Sequence, residues 1–181
     1  GGAWAEPTFN MDQQGPIPAL NVDPYTAKST APGSPGGNIG ITQDLSSMGL
    51  PATLAMGFIT ASGAAIDYRH VPESNGTNSA LAIFSLPIAI GFDLTEQLSV
   101  GAGIAMGIAF FDGPFVGVGG MTPDYALRGT VGANYRVDPC TTVGAYYQTE
   151  QSFRFDNAIL LPNDLVARDI NMELPQNFGV G

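Results

Sequence analysis

From about residue 51 onward, apolar residues alternate with small or polar ones in runs longer than the five or six residues usual for a soluble strand. Over residues 81–94 one side of the zigzag carries Ala82, Phe84, Leu86, Ile88, Ile90, Phe92 and Leu94, and the other ends in Ser85, Pro87, Ala89, Gly91 and Asp93. A period of two with one greasy side predicts a strand whose face meets a single apolar environment along its whole length. After the short turn Thr95-Glu96-Gln97, the design repeats with Leu98, Val100, Ala102, Ile104, Met106, Ile108 and Phe110 against Ser99, Gly101, Gly103, Ala105, Gly107 and Ala109. Residues 127–137 set Leu127, Val131, Ala133, Tyr135 and Val137 opposite Arg128, Thr130, Gly132, Asn134 and Arg136.

Beyond the turn Asp138-Pro139-Cys140, one continuous strand is predicted, with Val143, Ala145, Tyr147, Thr149, Gln151, Phe153 and Phe155 on its apolar side. Its other side carries Gln148, Glu150, Ser152 and Arg154. A last run places Ile170, Met172, Leu174, Phe178 and Val180 against Asp169, Asn171, Glu173 and Asn177. An earlier one places Leu54, Met56, Phe58, Ala64, Ile66 and Tyr68 on one face, interrupted at Thr60 and Ser62. Residues 1–50 carry Pro7, Pro16, Pro18, Pro24, Pro32 and Pro35, which break every candidate run, so this segment reads as loop with at most a short strand around 17–22.

The connections favour a barrel over a sandwich. Two are about three residues, and three others, near 70–80, 112–126 and 156–168, are long and alternate with the short ones. Outer-membrane barrels sort their connections this way, with short turns on one rim and long loops on the other. Tyr68, Phe110, Phe111, Tyr146, Tyr147, Phe153 and Phe155 gather toward strand ends, where aromatic girdles belong. None of the six apolar faces carries a charge. Arg128, Arg136, Gln148 and Arg154, with Asp93, Glu150 and Glu173, fall on the opposite set, expected to face the lumen. The pattern therefore predicts an all-β, antiparallel, up-and-down transmembrane β-barrel, of which residues 51–181 form a partial barrel of about six consecutive strands.

Composition agrees. Only 12% of the chain is charged while 44% is hydrophobic, so something other than a water-facing charged surface must cover it. The net charge of −10 and the six Lys and Arg residues exclude a nucleic-acid partner. One cysteine, Cys140, and one histidine, His70, cannot build a disulfide framework or a zinc site, so neither a metal nor a cofactor is expected. No GxSxG or HExxH spacing is present, and the glycines at 101, 103 and 107 sit at strand spacing with no following helix, so an enzyme is not expected. Those glycines instead make a narrow strand face that leaves room in the lumen for another element. Within Thr60-Ala61-Ser62-Gly63, small and polar residues interrupt a long strand, which reads either as a plain turn or as a bulge that breaks the barrel wall.

The run LRGTVGANYRVDPCTTVGAYYQTEQSFRF followed by DINMELPQNFGVG resembles the FadL-type family of outer-membrane transport proteins, which includes long-chain fatty-acid and aromatic-hydrocarbon channels. The hairpin LPIAIGFDLTEQLSVGAGIAMGI resembles an earlier pair of that family, and together the likeness covers the chain from about residue 51. The resemblance implies a fourteen-stranded barrel, an N-terminal plug, and passive uptake of a hydrophobic small molecule released sideways into the bilayer through a kinked strand. By position that kink falls on Ser62 and Gly63. The family's Asn-Pro-Ala plug signature is not found, and the chain reads as an internal piece of a longer protein that would be monomeric in the bacterial outer membrane. No basic residue stands near Phe110-Phe111-Asp112, where fatty-acid channels hold the carboxylate, so neutral hydrocarbons stay open as substrates. Two other classes remain: a general porin or structural barrel, and a soluble β-sandwich adhesin or coat protein.

Overall fold

A computed structural model describes residues 1–113, 121–161 and 164–181. It is all-β. The strands are β1 (Gly2–Ala5), β2 (Asn10–Gln13), β3 (Tyr25–Lys28), β4 (Ser34–Asp44), β5 (Ala52–Asp67), β6 (Asn78–Asp93), β7 (Leu98–Asp112), β8 (Thr122–Asp138), β9 (Thr141–Gln148), β10 (Gln151–Ile159), β11 (Arg168–Leu174) and β12 (Asn177–Val180). Eight of them form one sheet in the order β1-β4-β5-β6-β7-β8-β9-β12, every pair antiparallel. Among the described residues β1 and β12 do not meet, so the sheet is open and not a closed barrel.

The alternation explains the length of the central strands. β6 and β7 stay in register from Ala80↔Asp112 to Asp93↔Ser99, and β7 and β8 from Leu98↔Tyr135 to Phe111↔Thr122. Cross-strand partners share a face, so Phe84, Ile88, Ile104, Ile108, Leu127 and Val131 fall on one side of the sheet. That outer side exposes Ile39, Ile41, Met56, Ile88, Ile104, Met106, Leu127, Val131, Val143 and Phe178. Phe58 stacks on Phe84 at 5.6 Å and Phe84 meets Phe110 edge-on at 6.2 Å, forming an aromatic row across β5, β6 and β7. Such a continuous apolar surface far exceeds scattered exposed side chains on a soluble protein.

The connections sort by rim. Residues 45–51, 94–97 and 139–140 join strands at one end of the sheet, and 68–77 at the other. The middle of the long connection expected at 112–126, and residues 162–163 of that at 156–168, lie outside the described residues.

Four expectations are corrected. The strand predicted through 143–155 is two strands: β9 ends at Gln148, and the chain steps to the inner side of the sheet before β10. β11 pairs with β10 there, Phe153↔Met172 and Phe155↔Ile170, before β12 rejoins β9. The greasy side of this hairpin therefore packs on the inner face of the sheet instead of facing outward. Phe153 and Phe155 are buried with Ile83, Ala109, Phe111 and Ala158, and Ile170, Met172 and Leu174 pack around them.

In β5 a bulge at Ala61, between Thr60↔Phe84 and Ser62↔Ile83, reverses the alternation. Leu54, Met56 and Phe58 face outward, whereas Ala64 and Ile66 turn inward, so they do not share a face. The girdle assignment likewise fails for Tyr68, Phe111, Phe153 and Phe155, all buried, because the rim of the inner face is apolar too.

Residues 1–50, expected as loop, hold β1 to β4. The strand expected at 17–22 is instead a single helical turn, Pro18–Leu20, closed by an Ile17↔Val22 bridge. Val22 and Tyr25 bury against Tyr68, with Met11, Ile17, Leu20, Ile66 and Val71 around them. β4 escaped detection because Gly33, Pro35, Gly36 and Gly37 mask its start, although Ile39 and Ile41 keep the alternation beyond them.

Candidate functional site

The inner face is a trough. Its floor comes from the small sides of successive strands: Ala55 of β5, Ala89 and Gly91 of β6, Gly101 and Gly103 of β7, Gly132 and Asn134 of β8, and Gly144 of β9. The open space above them is about 920 Å³, and no charged side chain lines it. Further along β7 the glycine stripe is covered: a Cβ on Gly107 would lie 2.8 Å from Cζ of Phe153, and the Gln151 amide crowds the same spot. The element for which the small β7 face leaves room is thus the chain's own β10–β11 hairpin.

The wall is interrupted beside Ser62 and Gly63. β4 pairs with β5 from Asp44↔Thr53 to Asn38↔Ile59, and there the ladder stops. The segment before β4 next bonds to β5 where the Thr30 amide donates to the Asp67 carbonyl at 2.9 Å. Between these points Ser34–Gly37 turns to β1, and the Asn38 amide donates to Gly1 at 2.8 Å on that side. By alternation the nitrogen of Pro35 points to β5, where it has no hydrogen to donate. Opposite lie Ala61, Ser62, Gly63, Ala64 and Ala65, all small. A Cβ on Gly63 would stand 3.1 Å from the Ser34 hydroxyl, so the glycine is what lets the Ser34 side chain approach β5 here.

The four polar residues expected in the lumen do not form one site. Arg128, on the inner face of β8, donates from Nε to the Thr149 carbonyl at 2.8 Å and from a terminal nitrogen to the Pro175 carbonyl at 2.7 Å. These are the two points at which the β10–β11 hairpin leaves the sheet. Gln148 donates to the Thr130 hydroxyl at 3.3 Å on the same face. Arg136 lies at the short-turn rim in a polar recess of about 410 Å³ with Asp93, Glu96, Gln97 and Asn134. Arg154 sits on the hairpin face turned away from the sheet and pairs with Asp156 at 3.0 Å and Asp169 at 2.7 Å.

Sequence reasoning missed Thr149 and Pro175 as bend points. The signal was there, because Thr149 and Gln151 are polar on a side otherwise apolar, and Pro175 interrupts the last run. His70 faces the Thr30 hydroxyl, 3.4 Å from Nδ1, and Cys140 is an exposed free thiol in the β8–β9 turn. Burial raises the pKa of both Tyr25 and Tyr68 above the ordinary phenol value, which keeps them neutral and apolar in the cluster that caps β5. Among the described residues no group of acidic, His or Cys side chains could hold a metal ion. No family model matches the chain, and no curated protein matches it.

Proposed function

We propose that this chain forms part of the wall of an outer-membrane β-barrel through which neutral hydrophobic small molecules diffuse passively. The observation that carries the reading is the outer face, exposed and apolar from Ile39 to Val180, with no charged side chain between the strand ends. A charge at mid-bilayer on such a face costs about 2–4 kcal/mol for Arg or Lys, so a lipid-facing wall must exclude it. In water no such constraint acts. The four central strands, at 15 to 17 residues, exceed the roughly 9–11 that a tilted strand needs to cross a bilayer.

Trough and gap fit the same reading. A lining mainly of glycine and alanine, with Ser99, Thr130, Asn134 and Tyr146 but no charged side chain, suits an uncharged solute better than a carboxylate, which favours hydrocarbons over fatty acids. The unpaired stretch beside Ser62 and Gly63 is the place for sideways release into lipid. The order of strands and turns resembling FadL-type channels supports this assignment and that of the outer membrane.

One observation favours the sandwich reading: β10–β11 lies as a second layer on β6–β8 and seals Phe153 and Phe155 between them. The layer lies on the long-loop half, and among the described residues none covers the outer apolar face. The test is transfer of a fluorescent alkane analogue by the full-length protein reconstituted in liposomes. Saturable uptake of the alkane, with a charged hydrophilic dye excluded, is expected. Equal passage of both would identify a porin, and a protein that never partitions into the liposomes would end the membrane reading.

A further inference from the structure

The upper edge of β8 has lost its neighbour. β8 pairs with β9 from Asp138↔Thr141 to Thr130↔Gln148, and the ladder ends where the Thr149 amide donates to the Gly129 carbonyl at 2.9 Å. Beyond that point β10 steps inward, and no backbone bond joins Thr122–Arg128 to it. The Gln151 side-chain amide, donating to the Ala126 carbonyl at 2.8 Å, and the Arg154 backbone amide, donating to the Asp124 carboxylate at 2.6 Å, join β10 to this stretch, and Ala126 packs against the Phe153 and Phe155 cluster. Gly129 bonds toward β9, so by alternation Leu127 and Tyr125 turn their amides and carbonyls to the same side, where among the described residues no strand pairs with them. A strand edge left open in lipid is costly, since no water is present to satisfy those groups.

β10 carries the segment that would fill the edge. Extending the β8–β9 register by its own rule sets Gln151 opposite Leu127 and Phe153 opposite Tyr125. In that seat Phe153 and Phe155 would join the outer face beside Tyr125 and Leu127, which are already exposed there. The apolar side of β10–β11 thus matches two environments: the inner face of β6–β8, where it lies now, and lipid. The bends permit the change, because Pro175 offers no amide and neither Thr149-Glu150 nor Pro175-Gln176 belongs to a strand. Arg128 ties both bends to the inner face of β8 at once.

We propose that β10–β11 is a gate with two seats: an inward seat latched by Arg128 that narrows the passage over β6–β8, and a seat within the wall, paired to β8, that opens it. The gate rests on the channel reading above, and its test separates the two. In full-length protein with Cys140→Ser, Phe111→Cys is combined with Phe155→Cys, whose rings lie 5.2 Å apart in the inward seat, to report that seat, and Gln151→Cys is combined with Leu127→Cys to report the wall seat. Leu127 points to the outer side, away from the present position of Gln151. Tyr125→Cys with Phe153→Cys is a second wall-seat pair should the first fail to assemble.

Mild oxidation in membranes is expected to close both kinds of pair, each in its own variant. Adding Arg128→Met should shift cross-linking severalfold toward the wall seat. Alkane transfer should fall in the inward-locked protein, rise in the wall-locked one, and return to its starting value on reduction. Cross-linking of the inward pair alone, with neither wall pair closing, overturns the two seats. A yield insensitive to Arg128→Met overturns the latch, and equal transfer in both locked forms overturns the gate. No alkane transfer by any form, with both cross-links closing, would instead sink the channel reading.

Discussion

Gly107 lies directly beneath Phe153, where a Cβ would come within 2.8 Å of the ring. The β10–β11 hairpin can lie on β7 because this position has no side chain. Gly107→Val should force Phe153 and Gln151 off the sheet, at about 1–3 kcal/mol for overpacking a filled site. Gly101, on the same strand face, is the control. A Cβ there meets the nearest atom at 3.4 Å, so Gly101→Ala should unfold at nearly the parent denaturant concentration. Urea melts of the two variants beside the parent protein measure the difference.

A second test separates lipid from water at the outer face. Ile104 is 50% exposed, and in a soluble sandwich Ile104→Arg would change stability by only about 0.5 kcal/mol either way. Facing mid-bilayer, the same change should destabilise the full-length protein by about 2–4 kcal/mol. Equilibrium unfolding from lipid vesicles distinguishes the two values, and a neutral result would count decisively against a lipid-facing wall.

The gap at β5 makes its own prediction. Gly63→Leu would push a branched side chain toward Ser34, across the unpaired stretch between β4 and β5. Alkane transfer should fall severalfold while assembly in the membrane is unchanged. Gly49→Ala serves as a comparison for non-specific damage, since Gly49 has φ +79° in the 45–51 connection and nothing near its missing Cβ. That change strains a turn without approaching the gap, so it should lower stability and leave the transfer rate of the folded protein unaltered.

How much of this was legible depended on what alternation encodes. β6 and β7 could be read nearly end to end, since the outer face of each stays apolar and at least partly exposed along the paired stretch from Ala80↔Asp112 to Asp93↔Ser99. Period two reports that a side is apolar but not what covers it. Phe153 and Phe155 were therefore placed against lipid, although the inner wall is an equally apolar surface. The bulge was legible as one of the two readings of Thr60–Gly63, but the reversal of faces it brings was not, because that appears only when Ser62 is seen opposite Ile83. Ser62 and Gly63 were picked out as an interruption, and the structure places them beside the stretch where β4 and β5 do not pair. Arg128 was placed on the inner side, but its partners, the Thr149 and Pro175 carbonyls, lie 21 and 47 residues away, and no local pattern reports them.

The charged side of the hairpin gives a pH dependence whose direction follows from Asp169. The Asn157 amide, first, and then the Arg154 guanidinium hold its carboxyl below the ordinary carboxylate pKa. A group with a lowered folded-state pKa adds stability that is complete above its unfolded value and disappears as pH falls through the folded one. Asp169 should therefore steady the turn between β10 and β11 at neutral pH and release it only below the usual carboxylate range. Both groups are exposed, so the effect should be local rather than a loss of the fold. Protection of the Asn157 amide against hydrogen exchange, taken relative to the intrinsic rate at each pH, should fall in acid in the parent protein. In Asp169→Asn the amide should exchange quickly at every pH, with no added acid step, and an acid step of full size in that variant would assign the titration to another carboxylate.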